Sequence, residues 1–388
     1  MTTTPRAATR GDIRFNQPTL EGRELDYLRA AVEGGHTSAS GPFAARAAEV
    51  IREDVGAREV LLTTSCTAAL ELSAMLLDLR PGDTVVVPSF TFTSTALAFA
   101  RAGARILFCD IEPRTLGIDP EHLAGLLDDT VRAVVPVHYA GVACDVAGLR
   151  AALAAWPAAD VIEDNAHGLF GRWRGQPLGS LGRFATLSFH ETKNFVCGEG
   201  GALLVNDDRD IDRARVLYDK GTNRRAFFLG QVDKYSWKDT GSSFGLADTL
   251  AAYLYAQLER RDAILAKRRA VFDRYVGLLA PDADAHGYRL PIVPEDCEQA
   301  YHMFYVLLAD QQTRDHVLER MRAAGVQPTF HYVPLHSSEG GRRFAARPTD
   351  CPVTDDVSGR LLRLPFHNNL TAQDADRVVT AMLDALSG

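Results

Sequence analysis

The sequence predicts an α/β fold, with a large domain built on a mostly parallel sheet and a smaller C-terminal α+β unit. Three observations point there. Between about residues 60 and 210, short apolar runs bounded by turn residues alternate with segments of helical composition. Repetition of strand, helix and strand implies parallel strands with helices on both faces. From 246 to 280 the pattern becomes one helical stretch with no Pro and no Gly before Gly277. Finally, 388 residues with 46 % hydrophobic and 24 % charged content are enough for a sizeable core and sit near globular averages.

Taken in order, residues 1–12 (MTTTPRAATRGD) lack an apolar stretch and read as a flexible tail rather than a signal peptide. The large domain is expected over 13–250. Its strands are placed at 84–87, 105–110, 131–137, 160–164, 185–189 and 202–205, β-branched or aromatic and short. Helices are placed at 67–79, 93–101, 120–127 and 145–156. Asp119 before Pro120 forms an N-cap and N1 pair, and Gly103 sits where a helix should stop. The stretch 246–280 could run for roughly 45–50 Å if unbroken, long enough to link two domains. A linker helix and small domain are expected over 251–388, with a strand at 302–308, a helix at 313–324, an extended segment at 326–333 and a last helix at 372–386.

Charge and cysteine usage exclude several classes of function. Lys and Arg number 42 against 50 Asp and Glu, a formal charge of −8, so a broad polyanion-binding surface and nucleic acid are not expected. An anionic substrate would need a local cationic cluster. The six cysteines (Cys66, Cys109, Cys144, Cys197, Cys297, Cys351) form no C-x-x-C pair, which argues against zinc or a disulfide scaffold and fits a cytoplasmic protein. No apolar run reaches the roughly 18 residues a membrane span needs.

Ligands of such sheets bind beyond the carboxyl ends of the strands, and four motifs fall there. Ser188-Phe-His-Glu-Thr-Lys193-Asn194 follows a buried strand. A lysine there can be desolvated, which lowers its pKa and makes its amine a nucleophile towards an aldehyde, although alone it reads as a loop lysine. In Val161-Ile-Glu-Asp164-Asn-Ala-His167 the Asp164 carboxylate leaves an apolar run and needs a cation or good donors, or serves as a plain N-cap. Thr63-Thr-Ser65-Cys66-Thr67 opens a helix whose free N–H groups and hydroxyls suit a phosphate, or simply caps that helix. Phe92 leaves another strand, where an aromatic can cover a planar ring or join the core. Together these four supply what pyridoxal 5′-phosphate requires, namely an amine, a carboxylate for the ring nitrogen, a phosphate cup and an aromatic cover.

With those motifs in hand, the sequence resembles the sugar-nucleotide aminotransferases of the DegT/DnrJ/StrS group from about Ile13 to the C-terminus. It is most similar to their dTDP-4-amino-4,6-dideoxygalactose transaminases in PVHYAGVAC (136–144), SFHETKN (188–194), KGTNR (220–224), GQVDKY (230–235) and LLRLP (361–365). The resemblance implies the type I pyridoxal phosphate-dependent aminotransferase fold and a homodimer with active sites at the interface. It implies Lys193 as the lysine that carries the cofactor and later moves the proton, with pyridoxamine phosphate as the other form in the cycle. Asp164 would stand at the pyridine nitrogen and His167 at the ring substituents. Ser65, Cys66, Thr67 and Ser188 would hold the phosphate, and Phe92 would stack on the ring. Relatives place a phosphate-binding Asn from the partner chain near Gly245. This sequence has none there, and Ser242 or Ser243 is the candidate substitute.

The reaction so implied is amino transfer from L-glutamate to C4 of a dTDP-4-keto-6-deoxyhexose. Arg224, Lys234, Tyr332 and His336 are the candidate substrate-binding residues, the first two lying in a basic segment between Lys220 and Lys238 that suits a diphosphate. The alternatives are a 3-aminotransferase or a 3-dehydratase of the same group, or a non-catalytic nucleotide-binding protein. Lys193 argues against the dehydratase, in which a histidine replaces that lysine.

Overall fold

A computed structural model describes residues 11–228 and 230–387. Its strands are β1 (Glu59–Thr63), β2 (Thr84–Pro88), β3 (Arg105–Cys109), β4 (Val131–Val134), β5 (Asp160–Asp164), β6 (Arg172–Trp173), β7 (Gln176–Pro177), β8 (Phe184–Ser188), β9 (Gly201–Val205), β10 (Cys297–Glu298), β11 (Tyr305–Leu307) and β12 (Leu361–Arg363). Seven of them form the central sheet in the order β1-β9-β8-β5-β4-β2-β3. Pairing is parallel from β8 through β5, β4 and β2 to β3, and β9 runs antiparallel to both its neighbours. The carboxyl ends of β1, β2, β5 and β8 therefore share one edge.

Alternation along the strands divides the core between the two faces. Val85 and Val87 of β2, with Leu203 and Val205 of β9, pack beneath the helices Cys66–Leu76 and Thr93–Arg101. Ala202 and Leu204 of β9, with Ala185 and Leu187 of β8, point to the opposite face, under the helices Glu24–Glu33, Pro42–Val55 and Asp248–Glu259. A third apolar cluster joins Ile13 to Val271, Phe304, Val306, Leu362, Leu364 and the last helix, Ala372–Ser387. This C-terminal unit holds the two-stranded sheet β11–β12. Among the described residues no helix is long and apolar enough to cross a membrane.

Several expectations need correction. The stretch 246–280 is not one helix but Asp248–Glu259 and Arg261–Leu279, because Arg260 leaves helical geometry at φ −103° and ψ 14°. The break lets the first part bury Ala251–Leu258 in the large core while the second buries Val271 and Tyr275 in the C-terminal one. The strand placed at 131–137 stops at Val134, two residues before Pro136, which has no N–H for the ladder. The strand placed at 302–308 is confined to Tyr305–Leu307. Most of the expected N-terminal tail lies outside the described residues. The helices Glu24–Glu33 and Pro42–Val55 and the small sheet β10-β6-β7 were not anticipated from the sequence.

Candidate active site

Two carboxyl-terminal strand ends set the centre of the site. Parallel pairing puts Asp164, the last residue of β5, beside Thr186 of β8, two residues before Ser188. Asp164 is only 5 % exposed. Its Oδ2 accepts from Thr95 Oγ1 at 2.7 Å and its Oδ1 from the Ala166 N–H at 3.2 Å. Thr91 Oγ1 lies 2.9 Å behind Thr95 and can only donate to it, so a short hydroxyl chain ends on the carboxylate. Burial pushes the Asp164 carboxyl above its usual range, with the Thr95 bond pulling the other way.

Lys193 follows β8 on a loop closed upon itself. The Phe189 N–H donates to Gly200 O and the Cys197 N–H to Phe189 O, while Phe195, Val196 and Cys197 anchor the loop in the core. The Lys193 N–H donates to His190 O at 2.9 Å, which turns the side chain towards the strand ends. The amine hydrogen-bonds to none of the described residues. Desolvation brings its pKa down to about 8, with Cys66 and Asp164 opposing the shift and the Arg363 charge adding to it. The side chain lines two small cavities, one with Ala166, His167, Ser188, Asn194 and His302, the other with Asn16, Thr19, Arg268, His367 and Asn368.

The helix Cys66–Leu76 starts at the same edge. Ser65 is its N-cap in extended geometry, accepting from the Ala68 N–H at 3.0 Å. Thr67 Oγ1 meets Ser94 Oγ at 2.8 Å, so hydroxyls from the first turns of two helices lie together. Cys66 donates its thiol to Thr186 Oγ1 at 3.6 Å, and burial pushes the thiol up to about 12. A Cβ at Gly201 would collide with the Ser65–Cys66 peptide, so that helix start needs a glycine on β9.

His167 is buried, and its Nδ1 has no partner. It stacks on His302 with ring centroids 4.2 Å apart and planes at 14°. Burial drives both imidazoles well below their usual pKa, and both are neutral. His302 Nδ1–H donates to Asn194 Oδ1 at 3.0 Å, while Asn194 Nδ2 donates to Ala300 O, so the residue after Lys193 is tied to the C-terminal unit. Behind Asp164 the Cys144 N–H donates to His138 Nδ1, and His138 Nε2–H donates to Glu163 Oε2 at 2.9 Å. Glu163 also accepts the N–H groups of Gly179, Leu181 and Gly182, which locks the end of β5 to the following loop.

The remaining expected site residues are spread more widely. Phe92 is the N-cap of the helix Thr93–Arg101 and is 60 % exposed, 6.4 Å from the Tyr332 ring. Tyr332 stacks on His331 at 4.0 Å and meets Phe90 and Tyr139 edge-on. His336 is not drawn into the cluster. Its Nδ1 lies 2.7 Å from Ser89 Oγ and its Nε2 3.6 Å from Asp355, so both nitrogens are engaged. Ser242 and Ser243 are exposed beside Asp219. Arg224 and Lys234 are exposed near Tyr235 and Trp237. Of the other cations in that basic segment, Lys220 pairs with Asp219 and Arg225 with Glu59, so its charge is partly cancelled. Thr91, Thr95, Asn194, His302 and Arg363 were not singled out from the sequence.

The donor set fits pyridoxal phosphate. An unpartnered amine, a buried carboxylate short of a cation, a neutral imidazole with an orphan nitrogen and hydroxyls at two helix starts match its aldehyde, ring nitrogen, ring oxygen and phosphate. Comparison with known proteins agrees. The chain is 30 % identical over 385 residues to the spore coat polysaccharide biosynthesis protein SpsC of Bacillus subtilis (strain 168), covering 97 % of each. It superposes on the aminotransferase TlmJ from Streptoalloteichus hindustanus with a TM-score of 0.88 at 30 % identity, covering 97 % of this chain and 99 % of that one. With S. venezuelae DesV the TM-score is 0.85 at 26 % identity, covering 94 % and 95 %. The sequence signature of one enzyme family spans residues 18–383. The chain belongs to the pyridoxal phosphate-dependent DegT/DnrJ/EryC1/StrS aminotransferase family.

Proposed function

We propose that this chain transfers an amino group from L-glutamate to C4 of a dTDP-4-keto-6-deoxyhexose, giving a dTDP-4-amino-4,6-dideoxyhexose, and that it works as a homodimer in deoxysugar biosynthesis. The observation that carries the amino-transfer reading is the Lys193 amine, desolvated and unpartnered, within electrostatic reach of the buried Asp164. A sugar acceptor is supported by the part SpsC takes in polysaccharide biosynthesis. The C4 position and the dTDP handle rest on the stretches at 136–144, 188–194, 220–224, 230–235 and 361–365.

Pyridoxal phosphate, when bound, supplies an aldehyde that carries the amino group and a ring that accepts an electron pair from the donor's Cα. In this reading Lys193 holds the cofactor, and its Nζ takes the proton from the donor's Cα and delivers one to the acceptor. Asp164 keeps the proton on the ring nitrogen, and the Thr91–Thr95 chain fixes the carboxylate that does so. Neutral His167 serves the ring oxygen. Ser65, Cys66, Thr67 and Ser188 take the phosphate, and Phe92 covers the ring. Ser242 and Ser243, exposed in the single chain, are assigned to the partner's phosphate site.

Incubating holoenzyme and L-glutamate with a panel of 3-keto and 4-keto dTDP- and UDP-sugars, and identifying the products by NMR, tests this reading. The expected product is the 4-amino dTDP sugar, and amination only at C3 or only of UDP-sugars refutes the assignment. A second expectation concerns the diphosphate. Arg224→Ala or Lys234→Ala should raise KM for the nucleotide sugar about tenfold, the size of one lost charge-assisted contact, while sparing the glutamate half-reaction. Pre-steady-state absorbance of the two halves separates this from a folding defect, which would harm both.

A further inference from the structure

Residues 300–302, which lead into β11, are pinned from two sides. The Ala300 N–H donates to Gly141 O at 2.9 Å and the His302 N–H to Ala140 O at 3.2 Å. Arg268, in the helix Arg261–Leu279, donates from Nε to Tyr301 O at 2.7 Å and from Nη2 to His302 O at 2.6 Å. Gly141 permits this approach, since a Cβ there would stand 2.9 Å from His167 O and 3.0 Å from Ala300 Cβ. The segment in turn grips Asn194, the neighbour of Lys193, at both ends of its amide. Ala300 O can only accept, so it takes the Nδ2–H, and Oδ1 is left to His302. His302 must then donate from Nδ1, which fixes its tautomer. Its ring face lies on His167, and Tyr139 meets the same His167 ring edge-on at 6.0 Å. Two neighbours therefore set the plane of His167.

We propose that His302 is a positioning residue for amino transfer, setting Lys193 through its bond to Asn194 and His167 through its ring face, an inference that rests on the amino-transfer reading of the site. Packing alone would not call for an imidazole here. Leucine or phenylalanine would fill the space without the cost of burying a polar ring, a cost visible in the His302 pKa, driven well down by desolvation. What a buried, hydrogen-bonded polar pair adds is one defined arrangement, because any other leaves a donor or acceptor unpaired. That arrangement ends at the reacting groups. His167, Ser188, Lys193, Asn194 and His302 line one small cavity. One side chain of the C-terminal unit thus reaches the loop that carries the amine and the ring that faces the cofactor oxygen. Docking of that unit orders both together.

His302→Phe and His302→Asn separate the two contacts. Phenylalanine keeps a ring against His167 but cannot donate to Asn194. Asparagine places an N–H where Nδ1 stood and leaves His167 uncovered. Apoprotein carrying His302→Phe should capture pyridoxal phosphate about tenfold more slowly than wild type, the size of one lost hydrogen bond. Its kcat should fall about 100-fold in both half-reactions, the cost of a displacement of roughly 1 Å, with half-saturation concentrations within about threefold of wild type. In His302→Asn the capture rate should stay within about twofold of wild type, since the bond to Asn194 is kept. Its holoenzyme should instead show a displaced visible absorbance maximum, because His167 is no longer held at the ring oxygen. Asn194→Ala removes the same bond from the other side and reads the first contact even if His302→Phe does not fold. It should slow capture equally, and the double variant should be no slower than Asn194→Ala alone. Wild-type capture in Asn194→Ala, or additive losses in the double variant, overturns the proposal. So does an unmoved absorbance maximum in His302→Asn. A lower Tm with wild-type capture and spectrum would leave His302 a packing residue. If wild-type apoprotein captures no cofactor at Lys193, the amino-transfer reading fails first, a result distinct from normal capture that is indifferent to residue 302.

Discussion

Lys193→Ala is expected to lose essentially all amino transfer, about four orders of magnitude or more, because in the proposed mechanism one amine both holds the cofactor and moves the proton. Borohydride reduction of wild-type holoenzyme followed by peptide mapping should place the label at residue 193, and a label on any other lysine would sink the assignment. The structure adds a pH signature. Desolvation lowers the Lys193 pKa from 10.5 to about 8, so the neutral, nucleophilic amine predominates above pH 8 rather than only in strong alkali. The rate at which apoprotein captures pyridoxal phosphate should therefore climb with a midpoint near pH 8. A midpoint above 10 would mean that the amine is solvated like any surface lysine. Circular dichroism of Lys193→Ala should match wild type, since the side chain makes no hydrogen bond whose loss could unfold the loop.

Much of this site was legible because its groups follow buried strands closely in sequence. Asp164 ends β5, and Lys193 lies five residues past Ser188 at the end of β8, so a reading of strands also placed these two candidates at one edge of the sheet. What supports those groups was hidden. Thr95 reaches Asp164 from another helix start, 69 residues away in sequence. His302 reaches Asn194 across 108 residues. The first contact is set by how a helix packs on the central sheet and the second by how the C-terminal unit docks, and no local pattern encodes either. Arg363 lay within a stretch already noted for its resemblance, LLRLP, yet an arginine between leucines in a short strand reads as an edge residue until its burial is seen. The reverse error occurred at 246–280. Composition favoured helix throughout, and only the different partners of its two halves require the break at Arg260.

Asp164→Asn should lower kcat by about two orders of magnitude or more, if keeping the ring nitrogen protonated is worth roughly 3 kcal/mol in the transition state. The substitution keeps the shape. Thr95 Oγ1 can still donate to the amide oxygen, while the charge and the bond from the Ala166 N–H are lost. Stability of the apoprotein should move the other way, and its sign follows from linkage. Burial raises the folded-state pKa of Asp164 above the ordinary value of 3.8, so the ionised carboxylate is penalised in the fold. The protonated form is accommodated below 3.8, and that stability is lost as pH rises through the higher folded pKa. At neutral pH the asparagine apoprotein should therefore melt at or above the wild-type Tm, with the difference vanishing in acid below 3.8. Holoenzyme should show the reverse, because a pyridinium supplies the cation that the carboxylate otherwise lacks, and pyridoxal phosphate should raise Tm more for wild type than for the variant. A variant with full turnover, or one destabilised as apoprotein but equally stabilised by the cofactor, would make Asp164 a capping residue of the turn after β5 and no partner of the ring nitrogen.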